Sequence, residues 1–64
     1  MHERIAGAMS ILAQAGVEAG RVEPGGAAGE IAVIIADVRF LSAISAVAPR
    51  IKALGFRYVA LDLE

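Results

Sequence analysis

A run of six apolar residues in the middle of the chain, Ile31–Ala36, constrains the fold more than any other feature of the sequence. The run is rich in β-branched side chains, which favours a strand that is apolar on both sides of its pleat. Strands of this kind are covered on both faces of their sheet. Whatever fold the chain adopts must therefore provide, or recruit, cover for two faces.

The chain has few ways to obtain that cover, because its 64 residues make one small domain, residues 1–64. A domain of this size buries only about 60% of its unfolded surface and usually depends on disulfides, a metal or a partner chain. The sequence contains no cysteine, which excludes disulfides, thiolate metal sites and cysteine nucleophiles. Its single histidine, His2, lies near the N-terminal end, which argues against a zinc site. We therefore expect association with another chain.

Charge and hydropathy exclude other classes of partner. The net charge is -1 and there is no basic run, so nucleic acid is not expected to bind. No apolar stretch approaches the roughly 20 residues of a membrane-spanning helix, and no signal-peptide pattern follows the N-terminus. Together with the absence of cysteine, this predicts a cytoplasmic protein.

The first half of the chain predicts a helix followed by a hairpin. Apolar residues recur at helical spacing over residues 2–15, and Gly16 supplies a stop. Gly7 lies inside this helix, where a tolerated weak spot is favoured over a site at which another backbone packs closely. Residues 17–23 predict a weak edge strand, and the glycine-rich segment 24–29 predicts the turn that leads into Ile31–Ala36.

The second half predicts a helix and a last strand. Asp37 is suited to cap the helix, and Gly55 to end it. Pro49 falls inside and should kink the helix or break it briefly. The last strand covers residues 56–63, with Phe56, Tyr58 and Ala60 on one face. The expected apolar stripe of the helix consists of Leu41, Ile44, Val47 or Ala48, Ile51 and Leu54.

These elements predict an α+β fold, an α/β sandwich with the order α-β-β-α-β, in which two helices lie on one face of a three-stranded mixed sheet. The last strand–helix–strand unit should be parallel, with a right-handed crossover. Two helices cover only one face of the sheet. The other face then needs a helix from a partner or a second sheet, and we expect a homo-oligomer.

The last 14 residues, I-K-A-L-G-F-R-Y-V-A-L-D-L-E, resemble the C-terminal end of the ATP-dependent sacrificial sulfur transferases (LarE-type) of the PP-loop superfamily. In that family a leucine-glycine-phenylalanine corner leads into a Y-V-x-L-D-L-E strand. The segment G-E-I-A-V-I, residues 29–34, also resembles an earlier strand of the family. The resemblance implies a C-terminal-type domain whose partner is a PP-loop ATPase-domain protein.

The family's chemistry does not carry over with the resemblance. The S-G-G-x-D-S phosphate loop, the sulfur-donating cysteine and the G-Y-R-x-G-S tail do not occur in these 64 residues. We therefore expect no ATP pyrophosphatase or sulfur-transfer activity from this chain. No catalytic, cofactor-binding or metal-binding residue is assigned, and no cofactor is expected.

Three further features resemble sites but favour plain structural roles. Asp62 and Glu64 alternate with leucines and form an acidic pair suited to a metal or to acid–base chemistry, but they lie at a strand end near the terminus. Tyr58 is typical of a half-buried strand aromatic. The glycine-rich segment 24–29 leads into a strand rather than a helix, which favours a hairpin over a phosphate cradle.

The sequence thus favours a non-catalytic interaction or assembly domain. The alternative is a small regulatory domain that binds a metabolite at a subunit interface, with the glycine-rich segment as its support. An enzyme in its own right is disfavoured, because the chain lacks a nucleophile with a base in a credible setting.

Overall fold

The computed structural model describes residues 2–18 and 20–64, which form a compact α+β fold. Two helices pack with a mixed sheet of three strands, and the order α-β-β-α-β is the one that the sequence predicts. The elements are α1 (His2–Gln14), β1 (Arg21–Gly25), β2 (Ile31–Ala36), a short 3₁₀ turn η1 (Val38–Phe40), α2 (Leu41–Lys52) and β3 (Tyr58–Leu63).

The apolar run forms the central strand of the sheet. β2 lies between β1 and β3, pairing antiparallel with β1 and parallel with β3. The parallel ladder continues past the strand ends, because the Glu64 N–H donates to the Ala36 carbonyl at 3.0 Å and the Val38 N–H donates to the Glu64 carbonyl at 2.9 Å. β2 itself spans Ile31–Ala36, which confirms the predicted extent of the strand.

One hydrophobic cluster holds the elements together on one side of the sheet. Every second residue of β2 is buried in it, and Ile34 at its centre is fully buried. Both helices contribute to the same cluster, so both lie on one face of the sheet, as predicted. Its buried members are Ala8, Leu12, Val17, Val22, Ala32, Ile34, Ala36, Ile44, Val47, Ile51 and Phe56.

The first strand is displaced from its predicted position. β1 occupies residues 21–25 rather than 17–23, so Pro24 and Gly25 belong to the strand and not to the turn. Proline is tolerated there because β1 is an edge strand, where a missing N–H costs little. Val17 instead packs in the core from the connection after α1, in which Gly16 has a φ of 83°. Ala19, which the predicted strand 17–23 includes, lies outside the described residues.

The second helix differs from its prediction at three points. α2 continues through Pro49 to Lys52, so of the two predicted alternatives, a kink and a short break, the break is wrong. Ser45, whose carbonyl loses its helical partner to proline, is exposed to water, as is Pro49 itself. Leu41 is 43% exposed instead of buried, although Ile44, Val47 and Ile51 of the predicted stripe are buried, so α2 presents the predicted face to the core and only its first residue lies outside it. Asp37 does act as a cap, but for η1, where its carboxylate accepts from the Arg39 N–H at 2.9 Å.

The connection from α2 to β3 is longer than the predicted single glycine. Gly55 has a φ of 116°, which confirms that it makes the reversal, but the helix has already ended at Lys52 and β3 begins at Tyr58. The prediction that Phe56 shares a strand face with Tyr58 is wrong, because Phe56 lies before the strand and is buried in the core, whereas Tyr58 is 56% exposed. Arg4 of α1 donates a hydrogen bond to the Gly55 carbonyl at 3.2 Å. Leu54, expected in the helical stripe, is 37% exposed and packs beside Gly7. The neighbour of Gly7 is therefore a side chain and not a second backbone.

Candidate interaction surface

The side of the sheet that faces away from both helices is the largest feature without a structural role in the fold. We call it the open face. The strand register defines it, because residues paired across neighbouring strands point to the same side. Its members are Arg21, Glu23 and Gly25 of β1, Ile31, Val33 and Ile35 of β2, and Tyr58, Ala60 and Asp62 of β3.

An apolar stripe runs along the middle of the open face. It consists of Ile31, Val33 and Ile35, which alternate with the buried core residues of the same strand. These three side chains are half-buried by one another and by their neighbours. No helix of the described residues 2–18 and 20–64 lies over them, since α1 and α2 both pack in the core on the other side. The second face that the sequence requires to be covered is thus left uncovered by this chain.

The stripe is flanked by polar groups on one side and by an aromatic ring on the other. Arg21 and Glu23 form an exposed ion pair on β1, with 3.4 Å between Nε and Oε2. Such a surface pair adds little to stability, so both groups remain able to interact with a partner. On β3, the Tyr58 ring is 56% exposed and has the Arg57 guanidinium 5.7 Å from its centre. Tyrosine and arginine are typical of protein–protein interfaces.

The glycine-rich loop before β2 uses its own backbone donors. The Glu30 carboxylate accepts from the Ala28 N–H at 3.0 Å. The backbone N–H groups of Glu30 itself and of Ala28 hold the pKa of this carboxyl below its ordinary value. A Cβ at Gly26, whose φ is 83°, would collide with the same carboxylate. The loop therefore already holds an anionic group from its own chain, and it offers little to the phosphate or metabolite considered from the sequence.

A cavity of about 400 Å³ lies where the parallel strands β2 and β3 end. Ligands of α/β sheets often bind beyond the carboxyl ends of such strands. Its charged lining consists of two arginines, Arg21 and Arg39, and three acids, Glu18, Asp37 and Glu64. Acids outnumber arginines, and Asp37 is engaged in capping η1, so the lining does not select an anion.

The acidic pair considered from the sequence lies where the open face meets the cavity. Asp62 is paired with Ile35, which itself lines the cavity, and Glu64 lines the cavity beyond the strand end. Within the described residues, no three histidine, cysteine, aspartate or glutamate side chains come together in a way that would hold a metal ion. In the same part of the chain, no helix is both long and apolar enough to cross a membrane.

Sequence reasoning identified the need for cover but not the residues that require it. Both faces of β2 are apolar, so nothing in the strand itself indicates which side the helices take. The signal that was available lies in the flanking strands. Arg21 and Glu23 alternate with Val22, and Asp62 alternates with Leu61 and Leu63, which places the charged residues of both edge strands on one side.

Comparison of the chain with protein-family models, with curated proteins and with solved structures gave no significant match.

Proposed function

We propose that this chain is a non-catalytic interaction domain that assembles with a second copy of itself through the open face. One observation carries the proposal: the apolar stripe Ile31, Val33 and Ile35 lies in the centre of a sheet face that this chain does not cover. Burying apolar surface of this kind is the main driving force of association between proteins.

The composition of the chain supports an assembly role over catalysis. It has no cysteine and a single histidine, and the charged lining of the cavity at the strand ends mixes three acids with two arginines. A 64-residue domain without disulfides also gains stability from a partner, because each copy then buries surface that it cannot bury alone. The cytoplasmic location expected from the sequence suits a small chain of this kind and belongs to the same proposal.

The resemblance of residues 51–64 to the sulfur transferases supports a further part of the proposal. We propose that the assembled domain acts beside a PP-loop ATPase-domain protein. The support is in the sequence, in the leucine-glycine-phenylalanine corner and the strand after it. A tagged copy of this chain should retain a protein that carries the S-G-G-x-D-S loop. Retention of proteins that all lack the loop would remove this part.

Self-assembly is tested by sedimentation velocity and light scattering across micromolar concentrations. We expect the parent chain to form at least a dimer and Val33→Lys, in the centre of the stripe, to sediment as a monomer. Met9→Lys is the matched control. It places the same charge at a 43% exposed apolar residue of α1, on the helical side, and should behave as the parent does. A parent chain that is monomeric at every concentration would overturn the proposal.

A further inference from the structure

Three rows of side chains cross the open face at right angles to the strands. In each row the residue on β1 differs in charge or size from the residue on β3. The first row carries a positive charge at β1 and a negative charge at β3. The last row has no side chain at β1 and a large ring at β3. From β1 to β3, the rows are Arg21–Ile35–Asp62, Glu23–Val33–Ala60 and Gly25–Ile31–Tyr58.

This pattern is self-complementary under one particular rotation. A two-fold axis that runs parallel to β2, between two stacked sheets, exchanges the β1 and β3 sides while keeping each row at its own level. The partner's Arg21 then lies over Asp62, and the partner's Tyr58 lies over Gly25. In the first row, opposite charges then face each other. In the last row, the Tyr58 side chain faces a glycine, which has no side chain.

From this we propose that two copies pack face to face about an axis parallel to β2, with β1 of each copy over β3 of the other. The inference rests on the proposed function, because it takes the occupant of the open face to be a second copy. Stacked sheets lie about 10 Å apart, a distance that an arginine and an aspartate bridge from opposite sides. The apolar stripes of the two copies form the centre of the interface, with the charged pairs at its rim.

The alternative two-fold axis, at right angles to the strands, is disfavoured by the same rows. It would place β1 over β1 and β3 over β3 with the rows reversed. Glu23 would face its own copy, and Tyr58 would face Asp62. Like charges directly opposed across an interface weaken association. Arg21 beside Glu23 reduces this repulsion, but the arrangement brings no opposite charges directly together, whereas the axis parallel to β2 does so twice.

The packing of neighbouring side chains leaves no room for a Cβ at Gly25, the β1 end of the last row. A Cβ at Gly25 would lie 2.9 Å from Cγ2 of Val33 and 3.4 Å from Cβ of Ile31, closer than a real Cβ approaches in the first case. The stripe therefore spreads toward β1 over the glycine. This leaves a low apolar surface there, which suits the flat ring of a tyrosine from the other copy.

The size of the face sets the expected strength. Three strands about 4.8 Å apart and five residues at about 3.3 Å each give a footprint of roughly 250 Å². This is below the standard size of about 800 Å² per partner, so we expect a weak and reversible dimer.

The test is a charge swap across the axis. In a dimer about this axis, Arg21→Asp places a carboxylate opposite Asp62 of the other copy, and Asp62→Arg places a guanidinium group opposite Arg21 of the other copy. In both variants, like charges face each other twice. Each single variant should dimerise at least tenfold more weakly than the parent. The double variant Arg21→Asp/Asp62→Arg restores opposite charges and should return to within about threefold of the parent. Arg50→Glu, on the exposed outer side of α2, is the control and should leave the dissociation constant unchanged.

Mixing the two single variants sharpens the test. In a mixed dimer about this axis, position 21 of each chain faces position 62 of the other. At both places a carboxylate of the Arg21→Asp chain then faces a guanidinium group of the Asp62→Arg chain. Opposite charges then meet at both ends of the interface. The equimolar mixture should therefore dimerise more tightly than either variant alone. Sedimentation equilibrium measures all these constants, and circular dichroism confirms that each variant is folded.

The outcomes separate this inference from the proposed function. A dimer that forms equally well in the parent and in both single variants, and that Val33→Lys still dissociates, would overturn the axis and leave self-assembly standing. A mixture no tighter than its components would also overturn the axis. A parent that never dimerises would overturn both.

Discussion

The two faces of β2 are built from the same kind of residue and differ almost entirely in what lies against them. Ile34 points into the core and is fully buried beneath both helices. Val33, the residue before it, points to the open face and is half-buried by its neighbours in the sheet alone. The chain therefore commits one side of a doubly apolar strand to its own core and leaves the other available.

This difference separates folding from association at adjacent positions. A side chain on the core side contributes to the free energy of unfolding of each copy. A side chain on the open face contributes mainly to the dissociation constant between copies. Substitutions that carry the same new group on either side of β2 therefore distinguish the two roles.

The largest effect is expected at the core side. Ile34→Lys buries an ammonium group without a partner and removes a central apolar side chain, at a cost of several kcal/mol. A domain of this size has little more stability than that in total, so the variant should be unfolded. Far-ultraviolet circular dichroism at room temperature should show the loss of helix and strand signal.

Val33→Lys is the matched comparison. The lysine stem can lie along the apolar stripe with its ammonium group toward Glu23, its direct neighbour on β1. The variant should keep its folded spectrum while its self-association is lost. If Val33→Lys also unfolds, or Ile34→Lys stays folded, the assignment of the two faces is wrong.

An intermediate loss of folding stability is expected when a side chain is added at Gly55. This residue sets where β3 enters beside β2, and its φ of 116° is costly for any residue with a Cβ. Gly55→Val should lower the free energy of unfolding by about 1–2 kcal/mol. Nothing closer than the Arg4 side chain, at 3.5 Å, would contact a Cβ there, so the cost would arise from the backbone conformation.

Gly7→Val provides the contrast for this prediction. Gly7 lies in a helix, where valine has a propensity slightly better than that of glycine. Its Cβ would lie 3.2 Å from Cδ1 of Leu54, which is 37% exposed and has room to move. Its stability should therefore change little. Urea unfolding of both variants measures the difference, and equal midpoints would show that the reversal at Gly55 tolerates a side chain.

The sequence predicted β2 correctly because several signals agreed there. Six apolar, mostly β-branched residues lie between a glycine-rich loop and Asp37, and no other element type fits them. β1 was misplaced because Pro24-Gly25 is typical of a turn, whereas an edge strand accepts both residues. Leu41 was misplaced because spacing fixes which residues share a helical face but not how far along the helix that face is covered: Ile44, Val47 and Ile51 are buried, and Leu41, the first residue of α2, is not.

The open face required the sheet order before it could be recognised. The alternation of charged and apolar residues in β1 and β3 is visible in the sequence, but which of these residues lie level with one another is not. That Arg21, Ile35 and Asp62 form one row follows from the pairing of both edge strands with β2. Long-range pairing of this kind is determined by the tertiary structure and not by local propensity.

The smallest effect on stability is expected at Glu30, the residue before β2, whose carboxylate accepts a hydrogen bond from the Ala28 N–H of the loop. Backbone N–H groups hold its pKa below the ordinary value, so the folded state favours the charged form. The resulting stabilisation is fully present above the pKa of the unfolded chain and is lost as the pH falls through the lower pKa of the folded state. The Glu30 carbonyl also accepts from the Arg57 N–H at 2.7 Å, so the loop is tied to β3 as well.

Glu30→Gln should therefore melt slightly below the parent at about pH 6, and the difference should shrink as the pH falls below 4.5, the ordinary pKa of this carboxyl. Glu18→Gln, an exposed position outside the loop, is the control. Its melting temperature should follow that of the parent across the same range. Because Glu30 belongs neither to the core nor to the open face, its loss should leave the dimer dissociation constant at neutral pH unchanged. A weakened dimer would mean that the loop helps to set the stripe on β2, and that the two faces of the strand are less independent than their surroundings indicate.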